Sequence, residues 1–517
     1  MPGLSLSTTR LKGLRRSLTT LGAINKGGGV PGFVIPDAVY LPSVGSTPVV
    51  AVGARRVVTA YSGPILQVQR ASDNATMDVP QDAKGVPDTA SVVSWAAGSQ
   101  TRVRTWYDQS GAARHLTTTI WAEMPIYDAA GIRGQAAAHN AFKAMMFDGW
   151  LDVPSGNVRR PKRLTIPTSV TFELQNHTMF MVIDPKSAIY NDVYYGLKNS
   201  SGAQRTALGT ATALAGIYAS NSPSNTVGNL RARQNYQALG VASGVSSFKF
   251  HQDGTIFTAS NSKWQETMTG GLLGDDVSGS LDFLSEDNFL AFVIYPTALT
   301  DANASLVRDA LNATFGLPTA FTSVVVQVGD SIKYGPTVIE SLEGRTDTRL
   351  IRPSLKGTPA IYNMGLSSQL LSGSGQLAAN ASTREDLLIA ASTGFSKRVL
   401  DIEIGTNDIG AGATGATVYS AMATYVSGRR SAGATHIILR TLLPRSGSYT
   451  AEINAYNALV RANSIGADAI ADVAAHPVMG LQASVSDLAL YQDGLHPTGY
   501  GYSLFAPIVA AAINSVL

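Results

Sequence analysis

The stretch Ser323-Val-Val-Val-Gln-Val-Gly329, running directly into Asp330-Ser331, decides the fold. Its apolar run is continuous rather than alternating, which predicts a strand covered on both faces, as in a parallel sheet. Further strands are expected at Arg398–Ile404, Thr435–Leu442 and Ala467–Val473. Helical stretches are expected between them near 383–393, 415–430 and 449–464, with a last one near 499–516. Strands alternating with helices form βαβ units, hence a parallel sheet with helices on both faces. Ligands of such sheets bind beyond the carboxyl ends of the strands, so chemistry is sought there.

Three short motifs lie at those ends. Gly329-Asp330-Ser331 follows the first strand, Gly405-Thr406-Asn407-Asp408 follows the strand ending at Ile404, and Asp493-Gly494-Leu495-His496-Pro497 precedes the final helix. Acyl transfer needs a hydroxyl nucleophile, a base, a group that orients the base, and donors for the oxyanion. Ser331, His496, Asp493 and Asn407 supply these in turn. Each motif taken singly is also ordinary turn or capping sequence. Their joint occurrence, each at an element edge, carries the reading.

The set resembles the SGNH, or GDSL-type, hydrolase family over residues 319–517. The resemblance implies a flavodoxin-like α/β/α fold, ester hydrolysis, and no metal or other cofactor. It implies Ser331 as nucleophile, Asp493 and His496 as its partners, and Ser331, Ser368 and Asn407 as oxyanion donors. The family's second block usually reads Asn-x-x-x-Ser-Gly. Here the segment is Asn363-Met-Gly-Leu-Ser-Ser368, so Ser368 stands where Gly is expected and its side chain is expected in the pocket. Gly365 is assigned to the turn. His436 is read as a core or lid residue and His476 as a loop residue.

Upstream, residues 51–296 carry short strand-like runs separated by turns, such as Thr178-Met-Phe-Met-Val-Ile-Asp184. Phe248–Thr258 reads as a hairpin turning at Asp253-Gly254, and Thr300-Asp301 opens a helix that Gly316 and Pro318 close. This pattern predicts an all-β sandwich or jelly roll. Ala60–Asp73, Thr76–Asp78 and Trp106-Tyr-Asp-Gln-Ser-Gly111, with His115-Leu116, resemble the catalytic domain of α-L-arabinofuranosidase B, a concanavalin-like sandwich. A glycosidase needs two suitably spaced carboxylates, and Asp108, Asp148, Glu173 and Asp253 are candidates. The family's vicinal cysteines cannot exist in a chain with no cysteine. The sandwich is therefore expected to bind glycan or to act as a scaffold, with Asp108–Gly111 holding a loop. Trp106, Tyr107, Trp121 and Trp150 are sugar-stacking candidates or core residues, and Arg159–Arg163 is read as a solvated basic loop.

The first 36 residues contain no acid, and Leu11, Leu14, Leu18 and Leu21 form a helical stripe. A docking or trimerising helix is expected there. Lys+Arg total 39 against Asp+Glu 36, a net +3 that argues against a nucleic-acid partner. Charged residues are only 15%, below the roughly 25% of an average domain, and no apolar run is long enough to span a bilayer.

The expected organisation is an attachment segment 1–39, a sandwich 40–318 and a hydrolase domain 319–517. The combination resembles a phage tail spike. That resemblance implies a trimeric virion protein, attached to tail proteins through its N-terminus, that removes O-acetyl or other acyl groups from an acylated polysaccharide. A secreted bacterial esterase, a non-catalytic adhesin and a glycoside hydrolase run from the sandwich are the alternatives.

Overall fold

The computed structural model describes residues 35–37, 39–127, 145–147, 162–185, 193–202, 204–211, 214–219, 237–243, 247–252, 255–260, 266–275, 288–335 and 347–517. The N-terminal helix, Asp148, Trp150, Asp253 and Arg159–Pro161 lie outside them. Among the described residues, two antiparallel sheets precede a parallel one.

The first sheet runs in spatial order Val50–Gly53, Asn288–Tyr295, His177–Asp184, Gln237–Ser243, Ser247–Gln252 and Thr255–Ser260, with Met145–Met146 beside Asn288–Tyr295. The second has nine strands and includes Leu66–Arg70, Thr101–Trp106, Leu164–Glu173 and Thr267–Leu273. The strands of the expected hairpin pair, with Gln252 opposite Thr255, while residues 253–254 lie outside the described residues.

Strand His177–Asp184 shows why the sequence there is not cleanly alternating. Met179, Met181 and Ile183 enter the core between the sheets, with Trp106, Leu164 and Phe292. Phe180 and Val182 face the other way, against Val307, Leu311 and Phe315 of helix α1 (Asp301–Phe315). Both faces are dry, so both sets of residues are apolar. The Thr300 hydroxyl caps α1 by accepting from the Asn303 N–H at 3.3 Å, and Gly316 at φ +61° ends it. Helix Thr89–Ala96, capped by Asp88, is not foreseen in the sequence.

The parallel sheet contains β1 (Ser323–Gly329), β2 (Ala360–Gly365), β3 (Lys397–Glu403), β4 (His436–Arg440) and β5 (Ala469–Ala471), in spatial order β2-β1-β3-β4-β5. Alternate residues of β1 serve opposite layers. Val324, Val326 and Val328 pack with Val418, Met422, Ile453 and Val460 of the helices Gly415–Ser431 and Thr450–Ala462. Val325 packs with Phe505, Val509 and Ile513 of the final helix, Gly499–Asn514. The strand order reverses between β1 and β3, the kind of switch point beyond which sheets of this type bind ligands. Strand β2 is absent from the sequence reading, because Asn363 and the preceding Pro359 break its apolar run. No helix among the described residues is long and apolar enough to cross a membrane.

Candidate active site

β1 ends at Gly329 because nothing larger fits. A Cβ there would lie 2.3 Å from the Glu403 carbonyl oxygen, on neighbouring β3. The chain then turns into α2 (Ser331–Tyr334), a four-residue helix that opens with Ser331. The Asp330 carboxylate caps it, accepting from the Ile332 N–H at 2.9 Å. At the end of β2, a Cβ on Gly365 would sit 2.4 Å from the Tyr334 nitrogen. The two glycines thus let the serine-bearing turn lie against both strand ends. Gly365 serves this close approach and not the following turn, which corrects the expectation for it.

His496 reaches Ser331 from the loop before the last helix. Its Nε2 lies 2.8 Å from the Ser331 Oγ, and its Nδ1 lies 2.7 Å from the Asp493 Oδ2. The other Asp493 oxygen accepts from the main-chain N–H groups of Leu495 and His496 at 3.0 and 2.8 Å. Burial alone would raise the Asp493 pKa, but the hydrogen bonds from His496 and the loop hold it at about 2. Gly494 makes the turn at φ +78°. Thr498 caps the final helix, accepting from the Gly501 N–H at 3.0 Å, so His496 is not its cap.

The loops carrying the expected oxyanion donors Ser368 and Asn407 are locked together. Asn407 Nδ2 donates to the Gln369 carbonyl at 3.1 Å, and the Asp408 carboxylate accepts from the Leu371 N–H at 3.0 Å. Arg384 bridges Gln369 Oε1, at 2.9 Å, to the Met364 carbonyl, at 2.7 Å. Ser368 is exposed, at φ +61°, in a turn closed by the Gln369 N–H to Leu366 carbonyl bond at 3.3 Å. An L residue in that left-handed region costs about 1 kcal/mol relative to glycine.

The residues that sequence reasoning missed lie directly behind Ser331. Lys333 of α2 pairs with Asp347 at 2.9 Å and with Asp401 of β3 at 3.4 Å. Arg440 of β4 grips Asp401 by two bonds, its Nε at 2.8 Å from Oδ1, and also binds Asp347. Gln327 of β1 donates to Asp401 at 2.6 Å. All four charged groups are buried, two of each sign. The signal was present: Asp401 within β3 and Arg440 at the end of β4 interrupt apolar strand sequence, and a buried ion must have a partner. Asp330 and Glu403 flank the set. Burial pushes both carboxyls up, with Asp408 adding repulsion at Asp330, which reaches about 7, and Asp330 adding it at Glu403.

His436 and His476 are peripheral to this centre. His436 begins β4 at the sheet edge opposite Ser331, bonded to Thr435 and Lys397, and is neither core nor lid. His476 Nδ1 accepts the Val478 and Met479 N–H groups and holds a loop. Among the described residues no group of three or more His, Cys, Asp or Glu could hold a metal ion.

In the sandwich, Asp108 is fully engaged in holding its loop. It accepts from the Ala51 N–H, the Ser110 N–H and hydroxyl, and the Arg114 N–H. Glu173 is exposed and accepts from the Thr267 hydroxyl. Trp106 is core and donates to the Gly53 carbonyl, while Trp121 carries the Arg102 guanidinium on its face. The basic run is not merely solvated: Lys162 is buried and Arg163 forks onto Glu123, at 3.0 and 2.7 Å.

A family model described as alpha-L-arabinofuranosidase B, catalytic, matches residues 38–221. A probable alpha-L-arabinofuranosidase B of Aspergillus fumigatus is 39% identical over 106 residues, 20% of this chain and 20% of that protein. The matched segment therefore spans about a fifth of the length of that relative. A crystal structure of an arabinofuranosidase complexed with arabinofuranosyl-alpha-1,2-xylobiose is 15% identical, covering 53% of this chain and 64% of its own, at TM-score 0.36. A G-D-S-L family lipolytic protein of Veillonella parvula is 16% identical, covering 37% of this chain and 97% of its own, at TM-score 0.30. The family-model match and the curated relatives overturn the expectation of a phage tail spike that deacylates a host polysaccharide. The curated relatives are fungal arabinofuranosidases, so the virion assignment falls with it.

Proposed function

We propose that the chain is a hydrolase whose α/β part, residues 319–517, cleaves ester bonds with Ser331 as nucleophile, in the manner of an SGNH-type enzyme. The observation that carries this is the unbroken line Asp493–His496–Ser331, with bonds of 2.7 and 2.8 Å, at the strand-order reversal. His496 Nε2 takes the Ser331 hydroxyl proton as Oγ attacks the carbonyl carbon, and Asp493 stabilises the imidazolium that forms. The main-chain N–H groups of Ser331 and Ser368 and the second amide proton of Asn407 Nδ2 are assigned to the oxyanion. His496 then protonates the leaving alcohol. Water, deprotonated by the same ring, releases the acid from the acyl-enzyme and restores Ser331.

A second reading is favoured by the family match over residues 38–221: the sandwich hydrolyses α-L-arabinofuranosides. The engagement of Asp108 in its loop leaves Glu173, Asp148 and Asp253 as the carboxylates to test for that role.

One experiment separates the two. Wild type and Ser331→Ala are assayed on 4-nitrophenyl acetate and on 4-nitrophenyl α-L-arabinofuranoside. Loss of acetate release alone in the variant supports the first reading. Absence of ester turnover in wild type sinks it, and arabinoside turnover retained in the variant establishes the second.

A further inference from the structure

Between the nucleophile and the sandwich lies α3 (Asp347–Ile351), followed by the 3-10 turn Arg352–Ser354. One side of α3 faces the active centre, where the Asp347 Oδ2 accepts from the Lys333 Nζ at 2.9 Å, two residues beyond Ser331. Its other side faces the sandwich. Arg349 Nη2 donates to the Asp184 main-chain oxygen at 2.9 Å, and Arg352 grips the Asp184 carboxylate with both Nη groups, at 2.7 and 3.0 Å. Asp184 is the last residue of strand His177–Asp184 and is fully buried. Burial alone would raise its pKa, but Arg352 and Arg349 hold its carboxyl below the usual range.

The serine-bearing helix needs such support. Four residues make a single turn, which does not persist on its own hydrogen bonding. Its orientation is set by what holds it: the Asp330 cap, Asn363 Nδ2 donating to the Lys333 carbonyl at 3.1 Å, the Tyr502 hydroxyl on the Ile332 carbonyl, and the Lys333 side chain. Of these, the Lys333 contact leads through Asp347 and α3 to the sandwich. Every ion along that path is at least nine-tenths buried. Removing one partner leaves the others uncompensated in a medium that screens them little, and they must shift.

We propose that Asp184 is a positioning residue for Ser331: through Arg352 and Arg349 it fixes α3, and through Asp347 and Lys333 α3 fixes the turn that presents the nucleophile. The sandwich is thereby a working part of the ester-cleaving centre, beyond any ligand it holds. The inference rests on the ester-hydrolase reading of Ser331. Its warrant is a contiguous set of buried contacts, the kind of path along which displacement is transmitted.

The test uses the full chain carrying Asp184→Asn, with Arg352→Lys as a milder second variant should the first not fold. Three quantities are read: the rate at which a small fluorophosphonate modifies Ser331, kcat and KM on 4-nitrophenyl acetate, and amide hydrogen exchange. The exchange of residues 329–335 is compared with that of residues 419–428. Labelling and kcat are expected to fall about tenfold with KM within about twofold, the pattern of a misplaced nucleophile. Exchange in 329–335 is expected to quicken about tenfold while 419–428, in the helix Gly415–Ser431 that bonds to none of these ions, stays as in wild type. A folded variant with wild-type labelling and wild-type exchange in 329–335 overturns the inference, as does equal quickening in both segments. If wild type is neither labelled nor active, the ester-hydrolase reading fails, and the exchange comparison still decides whether Asp184 holds the turn.

Discussion

The sandwich and the α/β part bury their polar residues in different ways. In the sandwich, Asp108 and Gln109 spend their hydrogen bonds on main-chain groups of nearby loops. They hold the chain's path and point at nothing reactive. In the α/β part, Lys333, Asp347, Asp401 and Arg440 bond to one another, directly behind Ser331. The first arrangement holds loops and the second holds the turn that carries Ser331. Sequence likeness to the arabinofuranosidases concentrates in the region of loop-holding groups, whereas the aligned triad stands in the other half. Similarity in sequence and chemistry in geometry are thus separate signals, and here they mark different regions of one chain.

The sharpest way to break this contrast is to remove one polar group from each half. Ser331→Ala should lower ester turnover by about a thousandfold or more, while Asp108→Ala, in protein that remains folded, should leave kcat on 4-nitrophenyl acetate within about twofold. A comparable kcat loss in both variants would end the separation. Next in size is Asp401→Asn. It strips the negative centre from Arg440 and Lys333 and should cost about 3–5 kcal/mol in a urea unfolding titration. A loss under about 1 kcal/mol would show the network to be incidental.

The two halves should also respond to pH with opposite sign. Burial pushes the His177 pKa down to about 4, against the carbonyl of Leu174 that its ring contacts at 2.8 Å. Neutral His177 therefore favours the fold fully above about pH 6.5, and that contribution is lost as pH falls towards 4, by about 3 kcal/mol. Asp330, pushed up to about 7, favours the fold fully below about pH 4, and its contribution is lost as pH rises through 7. Thermal unfolding between pH 4 and 8 should show His177→Gln flattening the acid limb and Asp330→Asn flattening the neutral one. Unchanged limbs would mean that neither group titrates as its surroundings demand. The smallest effect is expected from Ser368→Gly, which relieves a left-handed residue. It should raise stability by about 0.5–1 kcal/mol and leave turnover within about twofold, because the main-chain N–H remains. A large loss of turnover would give the Ser368 hydroxyl a part in the reaction.

Much of the α/β part is legible in its residues. Continuous apolar runs mark β1, β3 and β4 within two residues of their ends, and the helix Gly415–Ser431 falls where the periodicity puts it. The triad is legible because Asp493 and His496 are three apart in a short loop, where one carboxylate can accept both the main-chain and ring N–H of the histidine. Strand β2 is not legible, because a six-residue strand containing Tyr362 and Asn363 has no clear period. The buried network is only half legible. Ions inside apolar strands announce that partners exist, but the partners lie up to 93 residues away along the chain, as Arg440 and Asp347 do.

By itself, then, the sequence determined an antiparallel sandwich-like half, a parallel α/β half, and three residues able to form a nucleophilic triad. Those features are local: a period of burial, a turn residue, a spacing of three. Only the tertiary structure decided that Gly329 and Gly365 are there to let the serine turn approach, that Ser368 stands exposed on a left-handed turn, and that Asp184 lies next to α3. Each of these depends on which distant backbone comes within van der Waals or hydrogen-bonding reach. Packing sets that proximity, and no local pattern of residues encodes it.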